Sequence, residues 1–223
     1  MQISSIIKKV IMSLTGLALV GFLIAHLAGN FYLYKGDRAF NGYSDMLEHN
    51  PLLIPAEIAL FLTFVIHVLS AVVLTLQNRA ARKLGYAQRE TAGESTLSSR
   101  TMMISGLIVF AFIVLHIWQF KFGDKTVPGG LWGVVVAEFQ KPVILIIYVV
   151  AMIVLGFHIA HGISSAFQSL GLFSVHRHQL RKIGQVLGWI LALGFAALPV
   201  WTFTTKPTLP AIETKPADQK MPP

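Results

Sequence analysis

Cysteine is absent from all 223 residues. That excludes disulfides, thioether-linked c-type haem, cysteine-held iron–sulfur clusters and thiol catalysis within this chain. Any metal must therefore be held by His, Met or carboxylate. Charge is scarce as well: Asp, Glu, Lys and Arg make up 13% of the residues, about half the roughly 25% of an ordinary soluble domain. This argues against a water-soluble enzyme. The apolar stretches also lack the alternation of β-barrel strands. What the chain has instead is hydrophobicity, at 54% of residues and a mean hydropathy of +0.65. Several runs are long enough to cross the roughly 30 Å hydrocarbon core. The length suits one integral membrane domain and leaves no room for a second, soluble one.

Five spans are expected, at about residues 11–34, 52–77, 102–120, 143–171 and 183–203, each near the roughly 20 residues a crossing helix needs. Pro51 and Pro142 stand just before the second and fourth, where a missing backbone N–H is harmless in a helix's first turn. Lys8 and Lys9 ahead of an apolar run look like the start of a signal peptide. The run continues uncharged from residue 10 to 34 without a small-x-small cleavage site, so it reads as a retained helix. No internal repeat is visible. The segment 204–223 carries five of the ten prolines and lacks an apolar face; it is expected to be a disordered tail beside the 1–203 membrane domain.

The formal charge of +8 and the pI near 9.9 do not point to nucleic acid, because the basic residues lie between apolar spans. Five fall in 78–100, three are Arg177, Arg181 and Lys182, and Lys8 and Lys9 bring one side to ten. The other side has Lys35, Arg38, Lys121, Lys125 and Lys141 plus three in the tail. The bias places the N-terminus inside and, after an odd number of spans, the C-terminus outside.

An ionisable residue in a membrane span is a functional candidate by default. Four successive spans carry one: His26, His67, His116 and His158, with His161 a turn beyond. Counting about 1.5 Å of rise per residue from each span's midpoint, His26 and His116 fall roughly 6 to 8 Å toward the outside. His67 and His158 fall roughly 4 to 6 Å toward the inside, and His161 about 10 Å, which makes it the weaker alternative. Histidines at one height on helices one and three, or two and four, face each other across a four-helix bundle. That is the arrangement for bis-imidazole haem, which leaves the iron no open position and suits electron transfer. The reading is thus an all-α, five-helix membrane bundle in which four helices enclose two stacked b-type haems. Helix–helix hydrogen bonding accounts for any single histidine, but less readily for four; a bare metal site needs a cluster, and these residues come in pairs.

Gly29, Ser70 and Gly162 follow His26, His67 and His158 by three or four positions, on the face where a macrocycle needs room. Ordinary small-residue helix packing explains them equally well. Arg82, Arg100 and Arg181 inside, or Arg38 outside, are candidate partners for the haem propionates.

Taken in order, His26-Leu27-Ala28-Gly29-Asn30, His67 with Asn78-Arg79-Ala80-Ala81-Arg82, Ser99-Arg100-Thr101-Met102, His116 with Phe120-Lys121, and Gly156-Phe157-His158-Ile159-Ala160-His161-Gly162 leading to Ser165-Ala166-Phe167-Gln168-Ser169-Leu170-Gly171 resemble one family. It is the dihaem cytochrome b membrane anchor of succinate:quinone oxidoreductase, which covers succinate dehydrogenase and fumarate reductase. The resemblance spans about residues 5–203. It implies five transmembrane helices, two b haems and a quinone site. It also implies a flavoprotein and an iron–sulfur partner on the inner face of a cell inner membrane. By position it assigns His67 and His158 to the haem nearer the iron–sulfur partner and His26 and His116 to the distal one. Some dihaem fumarate reductases carry an acidic residue two positions before the fourth-helix ligand, implicated in proton movement; here that position is Gly156.

The expected function is passage of succinate-derived electrons to a membrane quinone, with menaquinone favoured. Succinate chemistry belongs to the partners, since this chain has neither cluster-binding cysteines nor a dinucleotide fingerprint. Glu57, about 11 Å outside its span's midpoint, is the only carboxylate within an expected span and a candidate quinone proton carrier; an interfacial Glu reaching water is the bland alternative. His49 on the outer loop is a weaker candidate. The rivals are a quinol:fumarate reductase anchor, a dihaem quinol-oxidising cytochrome of another dehydrogenase or nitrate reductase, and a haem-free transporter or structural membrane protein.

Overall fold

A computed structural model of the chain describes residues 4–80, 102–124, 126–171 and 177–210. Arg82, Arg100 and the tail beyond residue 210 lie outside the described residues. Within them are seven α-helices: α1 (Ser5–Asn30), α2 (Asp37–Glu48), α3 (Leu53–Ala80), α4 (Met102–Phe120), α5 (Gly130–Phe139), α6 (Pro142–Ser169) and α7 (Arg177–Thr205). A short 3-10 turn, Phe31–Lys35, continues α1. Five of these helices, α1, α3, α4, α6 and α7, are long and apolar enough to cross a membrane. The described residues are all-helical, and the chain is a multi-pass membrane protein.

Local chemistry sets the ends. The Ser4 hydroxyl accepts from the Ile7 N–H at 3.3 Å, satisfying one orphan donor of the first turn of α1. Pro142 occupies the first turn of α6, where a missing N–H is harmless, and its ring keeps Lys141 before it extended. Helix α4 coincides with the expected 102–120, whereas α1 and α7 each begin six residues before their expected starts. Hydropathy marks the span, but the helix runs on through Lys8 and Lys9, and through Arg181 and Lys182, into the interface.

Helix α6 is the hub. It packs against α1, α4 and α7, while α3 leans on α1. The α6–α7 seam is the closest, because a Cβ at Gly188 would lie 2.9 Å from the Gly156 carbonyl oxygen and one at Gly184 would lie 2.8 Å from that of Ala160. Small residues spaced by four let two backbones approach where lipid gives no hydrophobic drive. Gly156 belongs to this seam: its Cβ would meet that of Ala192 at 3.0 Å, so the position has no space for a longer, acidic side chain.

Helices α3 and α4 instead turn about half of their side chains outward, including Phe61, Leu69, Leu107 and Val114, as lipid-facing surface should. They meet through the stacked rings of Phe64 and Phe110, 5.9 Å apart.

The two short helices were not expected from the sequence. They cover the end of the bundle opposite the start of α1, here called the distal end. Gly129 and Gly130 have φ of 92° and 61°, the left-handed region that favours glycine. Asn41 of α2 clamps the start of α5 there. Its amide donates to the Gly129 carbonyl at 2.8 Å and its oxygen accepts from the Trp132 N–H at 2.9 Å. The buried core, with Leu33, Phe40, Trp132, Val136, Phe139 and Tyr148, sits beneath this cap.

Candidate functional site

Histidines gather at two levels. At the distal level His26 of α1 and His116 of α4 face each other across the bundle, ring centroids 5.9 Å apart and planes at 86°. Phe22 and Phe195 pack on the first ring, Phe112 and Phe120 on the second. At the proximal level His158 of α6 lies within electrostatic reach of His67 of α3. His161 stands on the side of Arg181.

Three of the four rings have a proton assignment forced by their neighbours. His67 Nδ1 lies 3.2 Å from the Met12 carbonyl oxygen, which can only accept, so Nδ1 carries the hydrogen. His158 Nδ1 lies 3.2 Å from Ser105 Oγ, whose own hydrogen goes to the Met102 carbonyl at 3.0 Å. His116 Nδ1 lies 3.2 Å from Tyr148 Oη, which donates to Gln119 Oε1 at 2.8 Å. In each case Nδ1–H is the donor, which leaves Nε2 as a lone pair. Among the described residues no hydrogen-bond partner meets those Nε2 atoms. His26 differs, with both ring nitrogens 3.4 Å from the Asn30 amide nitrogen.

Neighbouring helices supply the seats. A Cβ at Gly16 would lie 3.1 Å from His67 Cε1, and one at Gly106 would lie 3.3 Å from His158 Cε1. Thr15 Oγ1 adds a contact to His67 Nδ1 at 3.3 Å. Thr15-Gly16 precedes His26 by the same interval at which Ser105-Gly106 precedes His116, 11 residues counted from the hydroxyl-bearing position. Each of α1 and α4 thus seats another helix's histidine at one level and presents its own about 16 Å along the axis. The repeated spacing, a hydroxyl and a glycine about three helical turns below a histidine, is visible in the sequence, but what it seats is not. The small residues singled out instead sit elsewhere. A Cβ at Gly29 would run into Tyr43 of α2 at 2.7 Å, and Gly162 faces Met102.

The remaining expected residues are more peripheral. Glu57 forms an ion pair with Lys121 between the distal ends of α3 and α4. Arg38 is exposed in the first turn of α2, and the exposed His49 ring bonds the Asp45 carbonyl at 2.8 Å. A group the sequence reading did not find lies beside His116. From Tyr148 the hydrogen bonds run on through Gln119, whose amide donates to Glu138 Oε2 at 3.2 Å, and Glu138 pairs with Lys141. A cleft of about 440 Å³ opens there, lined by Trp118, Gln119, Asp124, Glu138 and Lys141 among others. At its rim, hydrogen bonds from Thr126 hold the Asp124 carboxyl below the ordinary carboxylate range. Among the described residues no three His, Asp or Glu side chains converge on one point.

A family model of the succinate dehydrogenase/fumarate reductase transmembrane subunit matches residues 75–198, a stretch that contains His116, His158, the α6–α7 seam and the Tyr148 chain. The chain belongs to this family. It is also similar to the succinate dehydrogenase cytochrome b558 subunit of Bacillus subtilis (strain 168), 23% identical over 192 residues that cover 83% of this chain and 90% of that relative. No solved structure matches the chain. As a transmembrane subunit of this family it serves as a membrane anchor, and the paired imidazoles are the feature of that anchor which needs a chemical explanation.

Proposed function

We propose that this transmembrane subunit passes electrons from an iron–sulfur partner to a membrane quinone, menaquinone in our reading, by way of two b-type haems. His67 and His158 would hold the proximal group, and His26 and His116 the distal one. The observation that carries the reading is the pairing itself: two imidazoles at each of two levels, three of them with Nδ1 tied down as donor and Nε2 left as a lone pair. A ligating histidine needs that arrangement, because the second nitrogen's hydrogen bond fixes the tautomer and aims the first.

The spacing fits a metal between rings. With about 2 Å from each nitrogen to the metal, two imidazoles sharing one ion stand roughly 6 Å apart by centroid, and the distal pair is at 5.9 Å. Held by His26 and His116 at the distal level and by His67 and His158 at the proximal one, haem b would supply a one-electron carrier. The chain's own residues orient the imidazoles and keep water from them. Phe22, Phe112, Phe120 and Phe195 wall the distal pair, and the glycine seats hold the proximal pair close to α1 and α4. Ser13, one residue along α1 from the Met12 carbonyl, has a buried hydroxyl that meets no partner among the described residues, a polar atom that a bound group's edge would satisfy.

The proximal level lies toward the cytoplasmic side by the charge bias, where the flavoprotein and iron–sulfur subunits of a succinate dehydrogenase would dock. Arg181, half-buried near His161, would take a propionate. The similarity to a succinate dehydrogenase subunit supports succinate oxidation over fumarate reduction. The test is to replace His26, His67, His116 and His158 singly in the purified complex and count b haems per chain. Each replacement is expected to remove one haem and spare the other level. Retention of both haems in any of the four would overturn that ligand assignment, and loss on changing His161 but not His158 would transfer the role to His161.

A further inference from the structure

Tyr148 is buried beneath the distal cap and is spoken for on both sides: its oxygen lies 3.2 Å from His116 Nδ1 and its hydrogen goes to Gln119 Oε1 at 2.8 Å. Gln119 then donates to Glu138 Oε2 at 3.2 Å, and Lys141 holds the other carboxylate oxygen. Every bond in this chain points the same way, from the imidazole N–H to a carboxylate on α5. Such a run polarises along its length in a low-dielectric setting. His158 ends on a serine that donates to a backbone carbonyl, and His67 on a backbone carbonyl directly. Only His116, among these three, is linked through side chains to a carboxylate at the edge of the distal cleft.

We propose that Tyr148, backed by Gln119 and Glu138, is a positioning residue for His116 that lowers the reduction potential of the distal haem relative to the proximal one. The proposal rests on the haem reading above. An imidazole whose N–H leans on a hydrogen-bond chain that ends on a carboxylate is the stronger electron donor, which favours the oxidised metal. The carboxylate sits on α5, so the short distal helix does more than cap the bundle: it carries the group that sets the last carrier before the quinone.

The test is a redox titration of the two b haems in the purified complex, comparing wild type with Tyr148→Phe, Glu138→Gln and the double variant. Tyr148→Phe is expected to keep both haems and raise the distal midpoint potential, with a change of about tenfold in the oxidised-to-reduced ratio, or about 59 mV for one electron. The proximal potential stays where it was. Glu138→Gln is expected to give a smaller rise that vanishes in the Tyr148→Phe background, because the connection is already cut. An unchanged distal potential in Tyr148→Phe would overturn the proposal. So would a Glu138→Gln shift that persists in full in the double variant, since that is a through-space charge effect. If Tyr148→Phe fails to assemble, Gln119→Leu, which leaves the tyrosine ring in place, carries the same test. His116→Ala serves as the control: its loss of the distal haem upholds the ligand assignment even when the potentials are flat, whereas its retention of both haems removes the basis of this proposal.

Discussion

Whether an imidazole in a membrane is a packing residue or a ligand turns on which nitrogen carries the proton. Met12, Ser105 and Tyr148 decide it for His67, His158 and His116, and none of the three is distinctive in sequence. The glycine seats are as decisive. Placing Gly106→Val against His158 Cε1, already 3.3 Å from a Cβ, should force the ring off its serine. The variant is expected to lose the proximal haem while keeping the distal one, with overpacking of about 1–3 kcal/mol; difference spectra at the two b bands check it. Glu57 makes the opposite forecast. Its ion pair with Lys121 is half-exposed, and such pairs contribute about 0–1 kcal/mol. Glu57→Gln should therefore leave haem content and thermal stability unchanged. If the carboxyl handles a quinone proton, quinone reduction slows by about a hundredfold, measured as succinate:quinone turnover against succinate oxidation by an artificial acceptor.

Among the elements, α5, like α2, is one that span hydropathy could not announce. Ten residues are too few to span, and its apolar face is buried against α2, α6 and α7 rather than lipid. Its start depends on one side chain. Asn41→Ala removes two hydrogen bonds from the helix's first turn and is expected to destabilise the distal cap by about 1–2 kcal/mol. A lowered unfolding midpoint in detergent would show it. Because α5 carries Glu138, the same variant should also disturb the distal haem's potential and leave the proximal one alone. The long helices behave differently: their existence follows from length and apolarity, and only their ends moved, at α1 and α7, where basic residues extend the helix beyond the hydrocarbon.

For the whole molecule, the direction in which it sits in the membrane has the largest physical consequence. The charge bias read from the sequence favours the proximal side as cytoplasmic. The absence of native cysteine makes the check clean. A Ser4→Cys variant should resist an impermeant maleimide on intact cells, and a Thr208→Cys variant should react; the reverse pattern would place the docking face of the soluble partners on the wrong side of the membrane.

The sequence by itself determined the five spans, the all-helical class, four histidines on successive spans and their sorting into two heights, because burial in lipid demands unbroken apolar helices and a constant rise converts residue number into depth. Only the tertiary structure decided what His67, His116 and His158 lean on. Those partners come from other helices, at positions whose meaning depends on rotation and crossing, which residue spacing along one helix does not encode. Thr15-Gly16 and Ser105-Gly106 read as ordinary small residues until α3 and α6 lay against them, and Glu138 reads as a loop carboxylate until α5 folds back to Gln119.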